Sequence, residues 1–173
     1  HQRIVATPEQ STHVPVWLLG SSLFSAQLAA KLGLPYSFAS HFAPRMLDQA
    51  IKLYRENFEP SEYLDRPYVS MGVPTVVAQT DEEAEYLATS AYQRVLGLMR
   101  GQSLKLKAPV ETMEGIWSPA EKMSVDNFYA MGQVGSAETV KAGLEKLLEK
   151  YNVDEFIFTC DIYDTDKRIQ NFE

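Results

Sequence analysis

Buried-strand signals and capped-helix signals alternate along this chain, and the alternation predicts an α/β fold built on a mostly parallel sheet. Three stretches carry the prediction. Residues 14–19 (VPVWLL) form a nearly unbroken apolar run of strand length, as expected of a strand covered on both faces. Phe24, Leu28 and Leu32 then recur every fourth residue, which is the spacing of one helix face. Further on, Thr80 and Glu83 stand as a capping box ahead of a long amphipathic pattern.

Taken in order, the first strand spans Val14 to Leu19 and turns at Gly20. A helix follows over about Leu23 to Leu32, with Phe24, Leu28 and Leu32 facing the sheet; it stops at Gly33, with Pro35 close behind. Tyr36 to Ser40 is short and continuous enough for a second buried strand. Pro44 suits the first turn of the next helix, whose apolar face is Leu47, Ala50, Ile51, Tyr54 and Phe58, and Pro60 ends it. The third strand lies within Tyr68 to Gln79, where Gly72 and Pro74 imply a bulge or break.

The capped helix after Thr80 runs to about Met99, with Ala84, Leu87, Ala88, Ala91, Val95 and Leu98 inward. Arg100 to Trp117 lacks periodicity and holds Gly101, Pro109 and Gly115, the mark of a long connection of the lid kind. Ser118, Pro119 and Glu121 restart a short helix with an N-cap, a proline and an acid in the expected places. A helix from about Ala137 to Tyr151 buries Val140, Leu144, Leu147 and Leu148, and Glu155 to Cys160 is the fourth strand. With no repeat and no low-complexity linker, residues 1–173 read as a single unit of about four β/α repeats.

Composition bounds the function. The chain has 173 residues, 45% of them hydrophobic, and a formal net charge of −7. No cluster of Lys or Arg offsets the 23 acidic residues, so neither nucleic acid nor an anionic membrane surface is an expected partner. Small-molecule chemistry is favoured. A single cysteine, Cys160, permits no internal disulfide. With no secretory leader pattern and no apolar run of membrane-spanning length, a cytoplasmic location is expected.

The richest stretch for chemistry is Gly20, Ser21, Ser22, Leu23 and Ser25, where a strand turns into a helix. The first amides of a helix lack partners and the dipole there favours negative charge, so amides and hydroxyls together suit a phosphate. The same serines would equally serve as plain N-cap hydroxyls, worth roughly 1 kcal/mol of helix stability. Ala39, Ser40 and His41 fall at the carboxyl end of the second strand. A lone histidine there reads first as a structural residue, although its titration range suits proton handling. Cys160 reads as a small hydrophobe, Trp117 and Tyr151 as packing residues, and His1 and His13 as incidental. Asp161, Asp164, Asp166, Lys167 and Arg168 read as a solvated loop, with Arg168 the one to watch for a substrate or phosphate.

The same residues carry a family resemblance. Residues 14–42 (VPVWLLGSSLFSAQLAAKLGLPYSFASHF) resemble the fifth strand, helix and sixth strand of a bacterial-luciferase-like flavin monooxygenase. Residues 66–73 (RPYVSMGV), 80–84 (TDEEA) and 134–140 (VGSAETV) resemble later landmarks of that family in the right order. Such enzymes are (β/α)₈ TIM barrels of roughly 250 residues or more. The resemblance therefore implies that this chain is the carboxyl-terminal half, about four β/α units, completed by an amino-terminal half. An open doubly wound sheet is the other architecture compatible with the pattern.

What the resemblance implies for chemistry is a monooxygenase that uses reduced FMN and oxygen to oxidise a small organic substrate, with a flavin reductase supplying the reduced FMN. It places the FMN phosphate at the positions of Ser22 and Ser25, with Gly20, Ser21 and Leu23 around it, and brings Ala39 and Ser40 toward the flavin ring. Some relatives carry an acid where this chain has Ser21. No catalytic residue and no metal is assigned, and the family pattern admits a homodimer. Three alternatives stay open: a deazaflavin-dependent hydride-transfer enzyme, a non-catalytic flavin-binding relative, and a structural α/β module whose serines only cap a helix.

Overall fold

A computed structural model describes residues 14–173, so His1 and His13 lie outside the described residues. Among the described residues five strands make one sheet: β1 (Leu18–Gly20), β2 (Tyr36–Phe38), β3 (Val69–Ala78), β4 (Gln133–Ser136) and β5 (Glu155–Thr159). Every ladder is parallel. β1, β2, β3 and β5 neighbour one another in that order, which is the order expected of the four anticipated strands. The connections hold helices α1 (Leu23–Leu32), α2 (Leu47–Glu56), α3 (Asp81–Met99), α4 (Pro119–Phe128), α5 (Ala137–Tyr151) and α6 (Thr165–Gln170). Among the described residues no helix is long and apolar enough to cross a membrane.

One face of the sheet is packed by α1, α2 and the end of α5. Alternate residues Tyr36, Phe38, Val69, Met71 and Val73 meet Ala26, Ala29, Ala30, Leu47, Ala50, Ile51 and Tyr54 in a single core. Tyr54 pins this core from inside, its hydroxyl donating to Leu34 O at 2.8 Å and accepting from Tyr68 N at 3.1 Å. Arg55 donates to Tyr151 O at 2.8 Å, neutralising the carbonyl end of α5 where the helix dipole is negative. Asp81 ties the start of α3 to the turn between β4 and α5, accepting from Ser136 N at 2.6 Å and Thr139 Oγ1 at 3.0 Å.

Several expectations are corrected. The first strand is Leu18–Gly20 rather than Val14–Leu19, and it is not buried on both faces: Leu19 is 67% exposed. It is an edge strand with β2 as its neighbour, so little covers its far side. The stripe Phe24, Leu28 and Leu32 faces away from the sheet, with Phe24 76% exposed. Ala26, Ala29 and Ala30 are inward instead, because their small side chains let the helix backbone lie close to β2 and α2. Helices repeat the lesson. In α3 Leu98 is exposed and Leu96 buried, and in α5 Val140 is buried whereas Leu148 is exposed.

β3 runs unbroken through Gly72 and Pro74. The missing proline N–H falls between the β2 ladder, which ends at Met71, and the β4 ladder, which starts at Thr75. β4 itself was not anticipated. It is four residues long and includes Gly135 at φ 151°, and with Val134 as its single branched side chain it is too short and too poor in strand formers to give a strand signal. The second helix starts three residues later than Pro44, since Pro44–Met46 is a 3₁₀ turn, and it ends at Glu56, ahead of Phe58. The second and fifth strands are Tyr36–Phe38 and Glu155–Thr159, trimmed at Ser40 and Cys160, and Phe158 of β5 is exposed.

The expected capping box is complete at α4 and half formed at α3. Ser118 and Glu121 form both halves of a capping box on α4, which is ten residues long. At α3 the Thr80 hydroxyl accepts from Glu83 N, while the Glu83 carboxylate accepts from Gln79 N and Lys167 Nζ rather than closing the box. The connection 100–117 has no regular element, yet Val110 N donates to Thr89 Oγ1 at 2.9 Å and Met113 is buried against Val95, Leu96 and Val125.

Gly33 ends α1 at φ 61°, and a Cβ there would stand 2.5 Å from Glu59 O. Gly33→Ala combines left-handed strain with a backbone clash and should destabilise the fold by at least about 1–3 kcal/mol. The urea midpoint falls while the slope stays constant. A midpoint equal to the wild type contradicts the packing described here.

Candidate functional site

The carboxyl ends of parallel strands are where α/β sheets place their ligand sites. At the end of β1, Gly20 has no side chain because Ser25 occupies the space: a Cβ on Gly20 would lie 2.3 Å from Ser25 Oγ. Ser22 is the N-cap of α1 in extended conformation. Its hydroxyl accepts from Ser25 N at 3.2 Å, and Ser25 Oγ accepts from Ser22 N at 3.2 Å and donates to Ser22 O at 2.8 Å. The Tyr36 hydroxyl closes the knot 3.0 Å from Ser25 Oγ, and burial raises the pKa of that phenol.

This geometry separates the serines that sequence grouped together. Ser25 is buried with its hydroxyl fully engaged by Ser22 and Tyr36, so it shapes the turn from beneath. Ser22 is exposed and Ser21 half-exposed at the mouth. The amides of Leu23 and Phe24 have no acceptor among the described residues, because the capping box serves only Ser22 N and Ser25 N. Two free amides, an exposed hydroxyl and a helix N-terminus on the strand-end face make a donor set that fits a phosphate.

At the end of β2, Ala39 N donates to Gly20 O at 2.9 Å and binds the two strand ends together. Ala39 and Ser40 are buried, and Ser40 Oγ donates to Gly72 O, so neither offers a polar group to the mouth. The next residue does. His41 lies against Phe42, ring centroids 4.2 Å apart, and over Gly72, where a Cβ would come within 2.7 Å of Nδ1. Nδ1 is buried without a partner among the described residues.

Beside His41 stands an ion pair of which the sequence marked only Asp161, as part of a solvated loop; Asp161 is instead mostly buried. Arg94 of α3 donates through Nε to Asp161 Oδ2 at 2.9 Å and through Nη2 to the same oxygen, both side chains being more than two-thirds buried. Burial lowers the pKa of His41, Arg94 lowers it further, and Asp161 acts against both. Tyr129 lines the same region, its phenol raised by burial and by Asp161. Arg94 sits on the polar side of an amphipathic helix, so only the packing of α3 against the segment that follows β5, around Cys160 and Ile162, reveals it. Cys160 is half-buried with its thiol raised by burial, as befits a packing residue. Arg168 reaches Thr165 within α6, and no cluster of potential metal ligands occurs among the described residues.

The comparisons agree with this architecture. The model of the family described as luciferase-like monooxygenase matches residues 1–155, and the chain belongs to that family. It is 46% identical over 171 residues to the uncharacterized protein YvbT of Bacillus subtilis, covering 99% of this chain and 51% of that protein. It is 44% identical over 166 residues to a luciferase-like monooxygenase of Escherichia coli, covering 96% of this chain and 50% of that one. The crystal structure of apo-MsnO8 superposes with a TM-score of 0.78 at 23% identity over 99% of this chain and 53% of that one, a likeness of fold. The chain thus spans about half the length of the relatives it matches.

Two measurements test the site as described. Ser25→Ala removes the acceptor of Ser22 N and leaves the buried Tyr36 hydroxyl only Ser22 O at 3.3 Å, and should destabilise by about 1–3 kcal/mol, whereas Ser22→Ala removes an exposed cap worth about 1 kcal/mol. Equal losses in chemical denaturation would contradict the buried role of Ser25. For His41 the folded pKa lies below the ordinary 6.5, so the unfolded chain binds the proton first. Stability should therefore hold above about pH 6.5 and fall as the pH drops toward the folded value. His41→Gln should flatten this slope just below about pH 6.5, whereas acids held low, such as Glu121 at about 2, act from the ordinary carboxylate range downward.

Proposed function

We propose that this chain is the carboxyl-terminal half of a luciferase-like (β/α)₈ barrel and that the completed barrel is a flavin-dependent monooxygenase using reduced FMN and oxygen on a small organic substrate. The observation that carries the reading is the turn after β1. There the Leu23 and Phe24 amides and the Ser22 hydroxyl converge at a helix N-terminus on the strand-end face of a chain belonging to this family.

The amino-terminal half is the partner that the surface supports. Val16 ahead of β1, and Leu19, Phe24, Leu28 and Leu32 along β1 and α1, are exposed, as are Ile157 and Phe158 along β5. Apolar side chains gathered on both open flanks favour burial against further strands and helices. The matched relatives are about twice as long, which is the length such a completion needs.

Reduced FMN supplies the electrons that activate oxygen, and a separate flavin reductase is the expected source of the reduced form. The chain's own work is holding and shielding. Leu23 N, Phe24 N and Ser22 Oγ donate to the phosphate, with Ser21 at the rim and Gly20 keeping the turn tight over Ser25. Ala39 and Ser40 support the strand end from below rather than touching the ring. The 100–117 connection, anchored through Val110 and Met113, lays Trp117 beside Tyr92 and helps exclude water.

Ser22→Asp tests the phosphate turn, because aspartate caps a helix as well as serine yet repels an anion. In the whole barrel this variant should keep its thermal stability, lose at least about tenfold in FMN affinity, corresponding to roughly 1.4 kcal/mol, and bind riboflavin as the wild type does. Equal loss of both flavins moves the phosphate elsewhere. Oxygen uptake with reduced FMN then separates oxygenation from hydride transfer.

A further inference from the structure

The end of β2 holds a polar atom that the described residues leave unsatisfied. Nδ1 of His41 is buried and unpartnered, pressed toward the backbone of Gly72 with Phe42 alongside. Buried N–H groups without acceptors are rarer than unsatisfied acceptors, so a proton on Nδ1 is the disfavoured arrangement. The charged imidazolium, which carries a proton on both nitrogens, would suffer the same buried N–H and stand beside the Arg94 guanidinium as well. Asp161 is the compensating anion on this side, but its Oδ2 is held by Arg94 through two donors. Neutral imidazole with the proton on Nε2 is what remains. Nε2 is not among the buried unpartnered atoms, and among the described residues no group accepts from it.

We infer that His41 is a fixed hydrogen-bond donor of the cofactor site, presenting Nε2–H from the end of β2 to a carbonyl oxygen of the flavin ring, an inference that rests on the flavin reading above. The strand it follows adjoins β1, whose turn faces the phosphate in that reading, so ring and phosphate are served from neighbouring strand ends tied by the bond from Ala39 N to Gly20 O. Gly72 is part of the device. A side chain there would strike Nδ1 and Cε1 and turn the imidazole out of place. Because His41 stays neutral, it acts as a positioning donor and not as a proton-transfer group.

The test uses the polypeptide that carries the whole barrel. Nitrogen-15 NMR of the flavin-free wild type should show His41 protonated at Nε2 and bare at Nδ1, unchanged between about pH 6.5 and 8. A proton on Nδ1, or a mixture of tautomers, overturns the inference without touching the phosphate turn. Flavin titration supplies the second arm. His41→Phe should weaken FMN and riboflavin alike by about 3- to 10-fold, one hydrogen bond's worth, and His41→Gln, which returns an N–H at similar reach, should recover most of it. Gly72→Ala should cost a similar factor in the wild type and nothing further in a His41→Ala background. Wild-type affinity in His41→Phe, with Ser22→Asp still discriminating FMN from riboflavin, defeats this inference alone. Failure of the wild type to bind either flavin defeats both readings.

Discussion

Three of the four ladders in the sheet run through β3, and the need to pair its ten residues shapes everything around it. Val69 to Val76 are all buried, so each backbone N–H and C=O there must find a partner within the protein. β2 reaches only to Met71 and β5 only to Pro74. β4 then takes over from Thr75 to Ala78, and side chains close the remaining gaps: Asp154 accepts from Val69 N at 2.9 Å and Asn171 from Val77 N at 2.7 Å. The connection that carries Asp154 and the helix that precedes Asn171 are thereby fastened to the central strand.

The projection of β3 beyond its neighbours also makes the mouth of the site. Past Met71 the strand continues while β2 has ended, leaving Gly72 as a floor on which His41 rests. From the other side β5 delivers Asp161 to the same level, and α3, which begins directly after β3, swings Arg94 back to meet it. A histidine, an arginine and an aspartate far apart in sequence thus meet because one strand is longer than its partners.

Capping and anion binding at the turn after β1 are compatible demands. The serine knot takes the amides of Ser22 and Ser25 and leaves those of Leu23 and Phe24. A helix has four unpaired amides at its start, so a cap that serves two leaves donors for a ligand. Tyr36 makes the arrangement rigid by binding Ser25 from the core side.

Local chemistry determined much of this molecule. The extents of α1 and α5 followed from capping residues, Gly33 and periodicity, and the parallel order of β1, β2, β3 and β5 from the alternation of elements. Ser22 as a cap and Cys160 as a packing residue were equally legible, since each depends on near neighbours alone. Tertiary structure decided the rest. Which face of α1 is covered depended on the close approach of alanines to β2 and α2, whereas periodicity marks an apolar stripe without saying what lies opposite it. β4 exists because β3 needs a partner, and its own four residues carry no strand signal. The same holds at the site. Ser25 turned inward, Ser40 was buried by its bond to Gly72, and His41 gained Arg94 and Asp161 as neighbours, all through contacts between segments distant in sequence, which no local pattern encodes.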